Sequence, residues 1–274
     1  MTDDPATVAA HYAHGTLIDA IRAGLAALGK TPETVTVDDL APIDEFHIGG
    51  RRASADFLGQ LGLGPASHVL DVGCGLGGGG RFTASRFGAR VTGIDLTPDY
   101  VATGQALSRW VGLAERITLR TGSALDMPFD DGGFDAAYLM HVGMNIADKR
   151  GLCAEVARVL KPGGRFGIYD VMRIGPGDLA FPVPWAATPA TSAVAPPEAY
   201  RDALEAAGFT LIASRDRRDF ALDFFAELRA RAADGPPPLG LHILMGPTAP
   251  EKVKNMIANI TAGRLAPVEL IVRK

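Results

Sequence analysis

Cysteine is scarce, because the 274 residues contain only Cys74 and Cys153. The two do not form a C-x-x-C pair, and no zinc-binding spacing surrounds either of them. The sequence therefore predicts neither a disulfide framework nor a zinc site.

Long apolar runs are absent as well. No uninterrupted stretch approaches the ~20 residues that span a bilayer. The first residues, MTDDPATVAAHYAHG, lack the basic and apolar regions of a secretory signal. We therefore expect a cytoplasmic protein without a membrane partner.

A dense block of lysine or arginine is also missing. The chain has 27 Lys and Arg against 31 Asp and Glu, a formal net charge of −4. Proteins that grip a nucleic acid usually present a basic face to it. The charge pattern therefore predicts no nucleic-acid partner.

Short apolar strands alternate with helical stretches from residue 68 onward. Strand-like segments begin with HVLDVG, ARVTGIDL, RITLRTGSA, FDAAYLMHV and GRFGIYDVM, and FTLIASRDRR and PVELIVRK follow them. Helical stretches separate most of them, which predicts a doubly wound, mostly parallel α/β sheet of seven strands. A helical pattern with Leu17, Ile21, Leu25 and Leu28 on one face precedes this region. The later stretch APIDEFHIGGRRASADFLGQLGL is interpreted as a loop that leads into a helix.

Glycine is abundant and concentrated at one point. In HVLDVGCGLGGGGRF, the glycines at 73, 75 and 78 form a G-x-G-x-x-G pattern between the first strand and its helix, and Asp95 ends the second strand. Small residues let backbone amides approach a nucleotide cofactor, and the acid accepts hydrogen bonds from ribose hydroxyls. The pattern fits a nicotinamide dinucleotide or S-adenosylmethionine.

Asp71 favours the second cofactor. A carboxylate beside the first glycine would repel an anionic pyrophosphate, whereas S-adenosylmethionine carries a sulfonium and an ammonium. A buried Asp71 that only binds backbone amides is the structural alternative.

Several motifs resemble class I S-adenosylmethionine-dependent methyltransferases that act on small molecules. The resemblance covers roughly residues 44 to 172, through VLDVGCGLGG, VTGIDLTPDYV, GSALDMPFDDGGFDAAYLMHVGMNI and EVARVLKPGGRFGIYDVM. It is closest to the sarcosine/dimethylglycine and tocopherol type, in which a segment similar to DEFHIGGR precedes the core. The activity implied is transfer of a methyl group to a small-molecule acceptor, and we expect a nitrogen or oxygen nucleophile rather than carbon.

The resemblance also implies an architecture. It predicts a Rossmann-like core over residues 51–218, with an N-terminal helical cap segment (1–50) and a helical insertion or lid (219–264). The final strand (265–274) would then lie antiparallel beside the fifth.

At matching positions the resemblance implies cofactor contacts to the methionine part, the ribose and the adenine. The residues are Asp71, Gly73, Gly75, Gly77, Asp95, Leu96, Ser123, Ala124, Leu125 and His141. Arg51 is a further candidate, since it could pair with the methionine carboxylate. Many relatives have an aspartate where this chain has Ser123.

Catalysis of this transfer is chiefly alignment, and a base is needed only if the nucleophile arrives protonated. His141 is a candidate base or an orienting group. His47 is a second candidate base, although its position in a loop favours a gating role or surface exposure. Candidates for the acceptor pocket are Phe46, Met144, Asn145, Phe181 and Trp185. Asp126 and Asp170 form no convincing cluster of oxygen ligands, so we expect no metal.

Two other functions stay open at this level. A nicotinamide-dependent oxidoreductase would share the glycine turn and Asp95, and a non-catalytic cofactor-binding subunit would share the whole pocket. The apolar face of the insertion could cover a pocket or form a homodimer contact.

Overall fold

The computed structural model describes residues 17–231 and 237–274. The part of the predicted N-terminal helix before residue 17, and residues 232–236 of the insertion, lie outside the described residues. Seven strands form one sheet: β1 (His68–Val72), β2 (Arg90–Asp95), β3 (Ile117–Thr121), β4 (Phe134–Met140), β5 (Leu160–Arg173), β6 (Thr210–Asp216) and β7 (Leu265–Arg273). The strand order is β3-β2-β1-β4-β5-β7-β6.

The sheet confirms the predicted fold class, including the antiparallel last strand. β1 pairs in parallel with β2 and β4, and β4 pairs in parallel with β5. β7 runs antiparallel to both β5 and β6 and fills the space between them. The strand order reverses direction at β1 and β4, and the crevice outside their carboxyl ends is where open α/β sheets bind ligands.

Ten helices accompany the strands in the described part of the chain. They are α1 (Leu17–Ala27), α2 (Val37–Asp44), α3 (Gly50–Leu58), α4 (Gly78–Phe87), α5 (Pro98–Trp110), α6 (Lys149–Val159), α7 (Pro197–Ala206), α8 (Arg218–Arg231), α9 (His242–Met245) and α10 (Ala249–Thr261). The last three form the insertion between β6 and β7.

Two local predictions near the N-terminus need correction. Leu28 is 45% exposed, because α1 ends at Ala27 and the predicted apolar stripe stops there. α2 lies partly in the segment that the sequence analysis treated as a loop before α3. Its signal is a capping box, in which Thr36 and Asp39 each accept a hydrogen bond from the other's backbone amide.

A buried ion pair attaches α2 to the core. Arg81 on α4 donates to Asp44 at the end of α2, from Nε to Oδ2 at 2.9 Å and from Nη2 to Oδ1 at 2.5 Å. Both side chains are almost fully buried. Arg81 also donates to the Gly104 carbonyl and to Ser108 of α5. A buried charge is tolerated only with such complete pairing, so α2 is held firmly at the mouth of the crevice.

Apolar clusters cover both faces of the sheet, and two others hold the outer segments. One of these joins α1 and α2 to Leu239 and Leu244 of the insertion. The other joins α8 and α10 to Ile48, Met144 and Trp185. The insertion therefore packs over the carboxyl ends of the strands. No helix in the described ranges has the length and apolar character needed to cross a membrane.

Candidate active site

A cavity of about 710 Å³ opens at the carboxyl ends of β1, β2 and β4. It brings together most of the residues proposed from the sequence: Phe46, His47, Arg51, Asp71, Gly73, Gly75, Asp95, Leu96, Ser123, Ala124, Leu125, His141, Met144, Asn145 and Trp185. A cavity of this size is in the range of small-molecule sites.

The glycine turn after β1 is tightly packed at one end and open at the other. Gly73, Gly75 and Gly77 all have positive φ, at 72°, 52° and 77°. A Cβ at Gly73 would lie 2.4 Å from Cγ1 of Val142, whereas a Cβ at Gly75 would meet no atom within 4 Å. Gly73 is therefore needed for packing, and Gly75 leaves room for a ligand.

Gly77 does not line the cavity, contrary to the assignment from the sequence. It is the N-cap residue of α4, and a Cβ there would lie 2.8 Å from Leu119. Its lack of a side chain serves helix packing. Gly79, two residues further, lines the cavity instead, and a Cβ there would lie 3.3 Å from Asp71 Oδ2.

Asp95 fixes the turn from the neighbouring strand. Its Oδ2 accepts the Gly75 amide at 2.8 Å, and its Oδ1 accepts the Thr97 amide at 2.9 Å. Burial raises its pKa above the ordinary value, although these amides oppose the rise. The carboxylate is thereby held at the cavity wall, in the place where a diol could be bound.

Asp71 is buried behind the turn. The Tyr138 hydroxyl donates to its Oδ2 at 2.8 Å. Burial raises the pKa of Asp71 to about 7, and the negative charge of Asp95 raises it further. The Tyr138 hydroxyl, the charge of Arg81 and the Gly80 amide oppose this rise only in part. Positive charge brought into the cavity would therefore stabilise its ionised form.

His141 follows β4 in a left-handed conformation, with φ at 56°, which is uncommon for a residue with a side chain. Its Nε2 accepts the Ile48 amide at 3.3 Å, so the proton lies on Nδ1, which is 3.3 Å from the Tyr169 carbonyl. Burial lowers the pKa of His141 to about 3. This geometry supports the orienting role over the base role.

His47 lies within a buried polar group rather than on the surface. Its side chain is only 6% exposed, and Nε2 lies 2.9 Å from Glu45 Oε2 and 3.1 Å from the Ser54 hydroxyl. Ser54 donates to the same Glu45 oxygen, so the proton of Nε2 points to this pair. The Tyr169 hydroxyl donates to the Ile48 carbonyl and holds the same segment from the other side.

Arg51 is already paired on its own side of the cavity. Its Nε lies 3.1 Å from Glu45 Oε1, and its Nη2 donates to the Val37 carbonyl at 2.9 Å. A carboxylate of a ligand would therefore have to share Arg51 with Glu45.

Polar side chains in the turns that follow β3 and β4 form hydrogen bonds to the backbone of the same turn. Ser123 Oγ accepts the Leu125 amide at 3.1 Å, and the Asn145 amide group donates to the Val142 carbonyl at 3.2 Å. Trp185 donates to Ser192 and turns its indole into the apolar cluster of the insertion. Phe181 is partly buried in that cluster but does not line the cavity.

The insertion supplies one wall of the cavity, which sequence reasoning had left open as an alternative to a dimer contact and had not assigned to site residues. Phe224, Phe225 and Leu228 of α8, with Val253 and Met256 of α10, line the cavity. The apolar pattern of these helices was visible, but it did not show which face would meet the strand ends. A Cβ at Gly49 would lie 2.3 Å from the Phe220 ring, so α8 packs directly on the segment that carries His47.

The central part of the chain is similar in sequence to known methyltransferases. Residues 70–168 match the family model described as a methyltransferase domain. Over 97 residues the chain is 42% identical to tocopherol O-methyltransferase, chloroplastic, from Arabidopsis thaliana, covering 35% of this chain and 28% of that one. Over 111 residues it is 37% identical to sterol 24-C-methyltransferase ERG6B from Gibberella zeae, covering 40% and 29%. The matched segment thus spans less than a third of each of these two relatives.

Solved structures extend the likeness of fold beyond the matched segment. Geranyl diphosphate C-methyltransferase from Streptomyces coelicolor A3(2), in complex with Mg²⁺, geranyl diphosphate and S-adenosyl-L-homocysteine, aligns with a TM-score of 0.66 at 23% identity, covering 81% of this chain and 78% of that one. Phosphoethanolamine N-methyltransferase 2 from Haemonchus contortus aligns with a TM-score of 0.70 at 21% identity, covering 92% and 60%. The fold of this chain is therefore that of the methyltransferase Rossmann-like proteins.

Proposed function

From the methyltransferase domain at residues 70–168 and the cavity at its edge, we propose that the protein transfers a methyl group from S-adenosylmethionine to a small-molecule acceptor. The observation that carries the proposal is the open space at Gly75, bounded by Asp95 and backed by the buried Asp71.

The residues present fit S-adenosylmethionine. Asp95 would bind the ribose hydroxyls, and Leu96 would lie against the adenine. Ser123, Ala124 and Leu125 would frame the edge of the base. Asp71 would face the positively charged methionine end, because it lines the cavity behind the glycine turn and a cation would favour its ionised form.

The site fits a nicotinamide dinucleotide less well. In dinucleotide sites the amides of the glycine turn bind the pyrophosphate. Here the Gly75 amide donates to Asp95 instead, and Asp71 adds a second acid behind the turn. Two carboxyls at this position would repel a pyrophosphate.

When bound, S-adenosylmethionine supplies a methyl group activated by its sulfonium, so no covalent intermediate with the protein is required. The chain's contribution is to align the acceptor and to exclude water, and the cover formed by α2, α3 and the insertion is suited to both. His141 would hold the Ile48 segment over the cavity. Where the acceptor carries a proton, His47, oriented by Glu45, is the better placed candidate base.

The nature of the acceptor atom is not set by the fold. The relatives are named for methylation at oxygen, carbon and nitrogen. We propose an oxygen or nitrogen nucleophile, as predicted from the sequence. A cytoplasmic location, a homodimer contact and the lack of a nucleic-acid partner also stay predictions.

Ligand binding tests the proposal. S-adenosylhomocysteine should give a measurable heat in titration calorimetry and should raise the midpoint of thermal unfolding, because it binds the native state selectively. NADH, titrated in parallel, should do neither. An absence of heat and of thermal shift with S-adenosylhomocysteine, or a shift with NADH alone, would refute the assignment.

Turnover separates an enzyme from a non-catalytic cofactor-binding subunit. If the protein binds the cofactor but forms no methylated product with a broad panel of acceptors, the non-catalytic subunit is favoured. Product formation that is lost in Asp95→Ala would favour the enzyme.

A further inference from the structure

The part of the cavity formed by the insertion is almost entirely apolar. Phe224, Phe225, Leu228, Leu244, Val253 and Met256 line it from three helices, and His242 is the one polar side chain that the described part of the insertion adds to the lining. Aromatic and aliphatic side chains of this kind contribute affinity by removing apolar ligand surface from water. The part of the ligand that they contact must itself be hydrocarbon.

The polar side chains of α10 are turned away from the cavity. Lys252 donates to the Met245 carbonyl, Asn255 to the Pro182 carbonyl and Asn259 to the Ala180 carbonyl. None of the three lines the cavity. The helix therefore uses its polar groups to attach neighbouring segments and presents Val253 and Met256 to the ligand.

The cavity has acids at its wall and very little positive charge. Asp38, Asp44, Glu45, Asp71 and Asp95 line it. Across residues 17–231 and 237–274, Arg51 is the single lysine or arginine that does so, and Glu45 and Asp38 lie 3.1 and 3.7 Å from its guanidinium nitrogens. Residues 1–16 and 232–236 contain no lysine or arginine in their sequence.

A phosphate or carboxylate on the acceptor would meet no lysine or arginine of the described residues except Arg51, which is already paired with Glu45. Its transfer from water into this cavity would cost the full desolvation of the charge and would add repulsion by the acids. Protein sites for phosphate groups usually supply arginine, lysine or an open helix N-terminus. The site therefore selects against anionic acceptors.

We propose that the methyl acceptor is an uncharged, mainly hydrocarbon or aromatic molecule whose nucleophilic group is its main polar feature. This inference rests on the proposed methyl transfer and names its substrate class. The hydrocarbon part lies against α8 and α10, and the nucleophile lies toward His47 and His141, where the polar groups of the cavity converge.

Matched pairs of probes test the inference on the intact protein saturated with S-adenosylhomocysteine. Farnesol is compared with farnesyl diphosphate, and 2-naphthol with 2-naphthyl phosphate, by calorimetry and thermal shift. The neutral member of each pair should bind at least roughly tenfold more tightly, since only the anion meets an uncompensated charge penalty. Equal or tighter binding of the anions, or no binding of either neutral probe, would overturn the inference.

Charge-introducing variants provide a second test with a matched control. Val253→Lys places a cation in the cavity wall and should move the preference toward the anionic probes by roughly tenfold. Ile257→Lys introduces the same charge one turn further along α10, at a residue that is similarly half-buried but does not line the cavity, and should leave the preference unchanged. An unchanged preference in Val253→Lys, or equal changes in both variants, would contradict the inference.

Two further measurements keep the result interpretable. Leu228→Lys, at a cavity residue that is already 46% exposed, tests the same idea should Val253→Lys fail to fold. The affinity for S-adenosylhomocysteine, measured for every variant, separates the two proposals. If the unmodified protein does not bind S-adenosylhomocysteine, the methyltransferase function is refuted. If it binds S-adenosylhomocysteine but prefers the anionic probes, only the proposed acceptor class is refuted.

Discussion

Two aspartates have nearly the same ionisation behaviour but different positions. Burial raises the pKa of both Asp71 and Asp170 to about 7. Asp71 receives the Tyr138 hydroxyl and lines the cavity, whereas Asp170 receives the Tyr200 hydroxyl at 2.5 Å and does not line it. Only Asp71 can therefore couple its proton to a ligand, and Asp170 serves as an internal control.

We expect the affinity for S-adenosylmethionine to rise with pH through about 7. The carboxyl of Asp71 is partly protonated in the free protein at that pH, and a cationic ligand favours its ionised form. Binding then releases a proton, so affinity increases by up to about tenfold per pH unit below the free-protein pKa. Calorimetry between pH 5.5 and 8.5, in buffers of different ionisation enthalpy, measures both effects.

Two variants isolate the group responsible. Asp71→Asn should bind more weakly at pH 8 and should lose the pH dependence, whereas Asp170→Asn should retain it. A pH dependence that persists in Asp71→Asn would assign the proton to another group, such as Asp95.

The two histidines of the site should respond differently to substitution. His141→Asn keeps a residue that tolerates positive φ but removes the acceptor for the Ile48 amide, so we expect a lower kcat. The acid limb of the pH–rate profile should keep its position, because a group with a pKa of about 3 does not titrate in the working range. If His141→Asn abolishes the acid limb of the pH–rate profile and His47→Gln leaves it unchanged, His141 is the base.

At the scale of single elements, the β1–α4 turn separates packing from binding. Gly73→Ala should destabilise the protein strongly, because the new methyl group would overlap the Val142 side chain and the residue has positive φ. Gly75→Ala should cost only about 1–2 kcal/mol for the left-handed backbone, since its methyl group meets open space.

Denaturant unfolding and ligand titration together distinguish these two effects. Gly75→Ala should remain folded and lose affinity for S-adenosylhomocysteine, because the methyl group enters the volume reserved for the ligand. Unaltered affinity in a folded Gly75→Ala would show that the ligand does not approach this amide.

At the scale of the whole molecule, a buried ion pair is one of the contacts that join the N-terminal segment to the core. Arg81→Ala should lower the free energy of unfolding by about 3–5 kcal/mol, because it leaves Asp44 buried without its cation. Urea unfolding measures the loss. Asp44→Leu combined with Arg81→Met should recover much of it, and equal losses in the single and double variants would show that the pair is not coupled.

Local sequence signals determined much of this protein. The alternation of strands and helices, the glycine turn after β1 and the acids at the ends of β1 and β2 are set by neighbouring residues, because strand ends and turns have short-range rules. Asp71, Gly73, Gly75 and Asp95 were located in this way. The antiparallel β7 followed from the family resemblance rather than from any local signal.

Only the tertiary structure decided which side chains face the cavity. Gly77 and Gly79 belong to the same run of glycines, yet Gly77 packs on Leu119 and Gly79 lines the cavity. Phe181 and Phe224 are both aromatic residues in apolar segments, and only Phe224 lines the site. The partners of His47 and His141 likewise depend on contacts between distant segments. The physical reason is that the chemistry of a side chain sets its preference for burial, whereas the elements that pack against it determine which way it points.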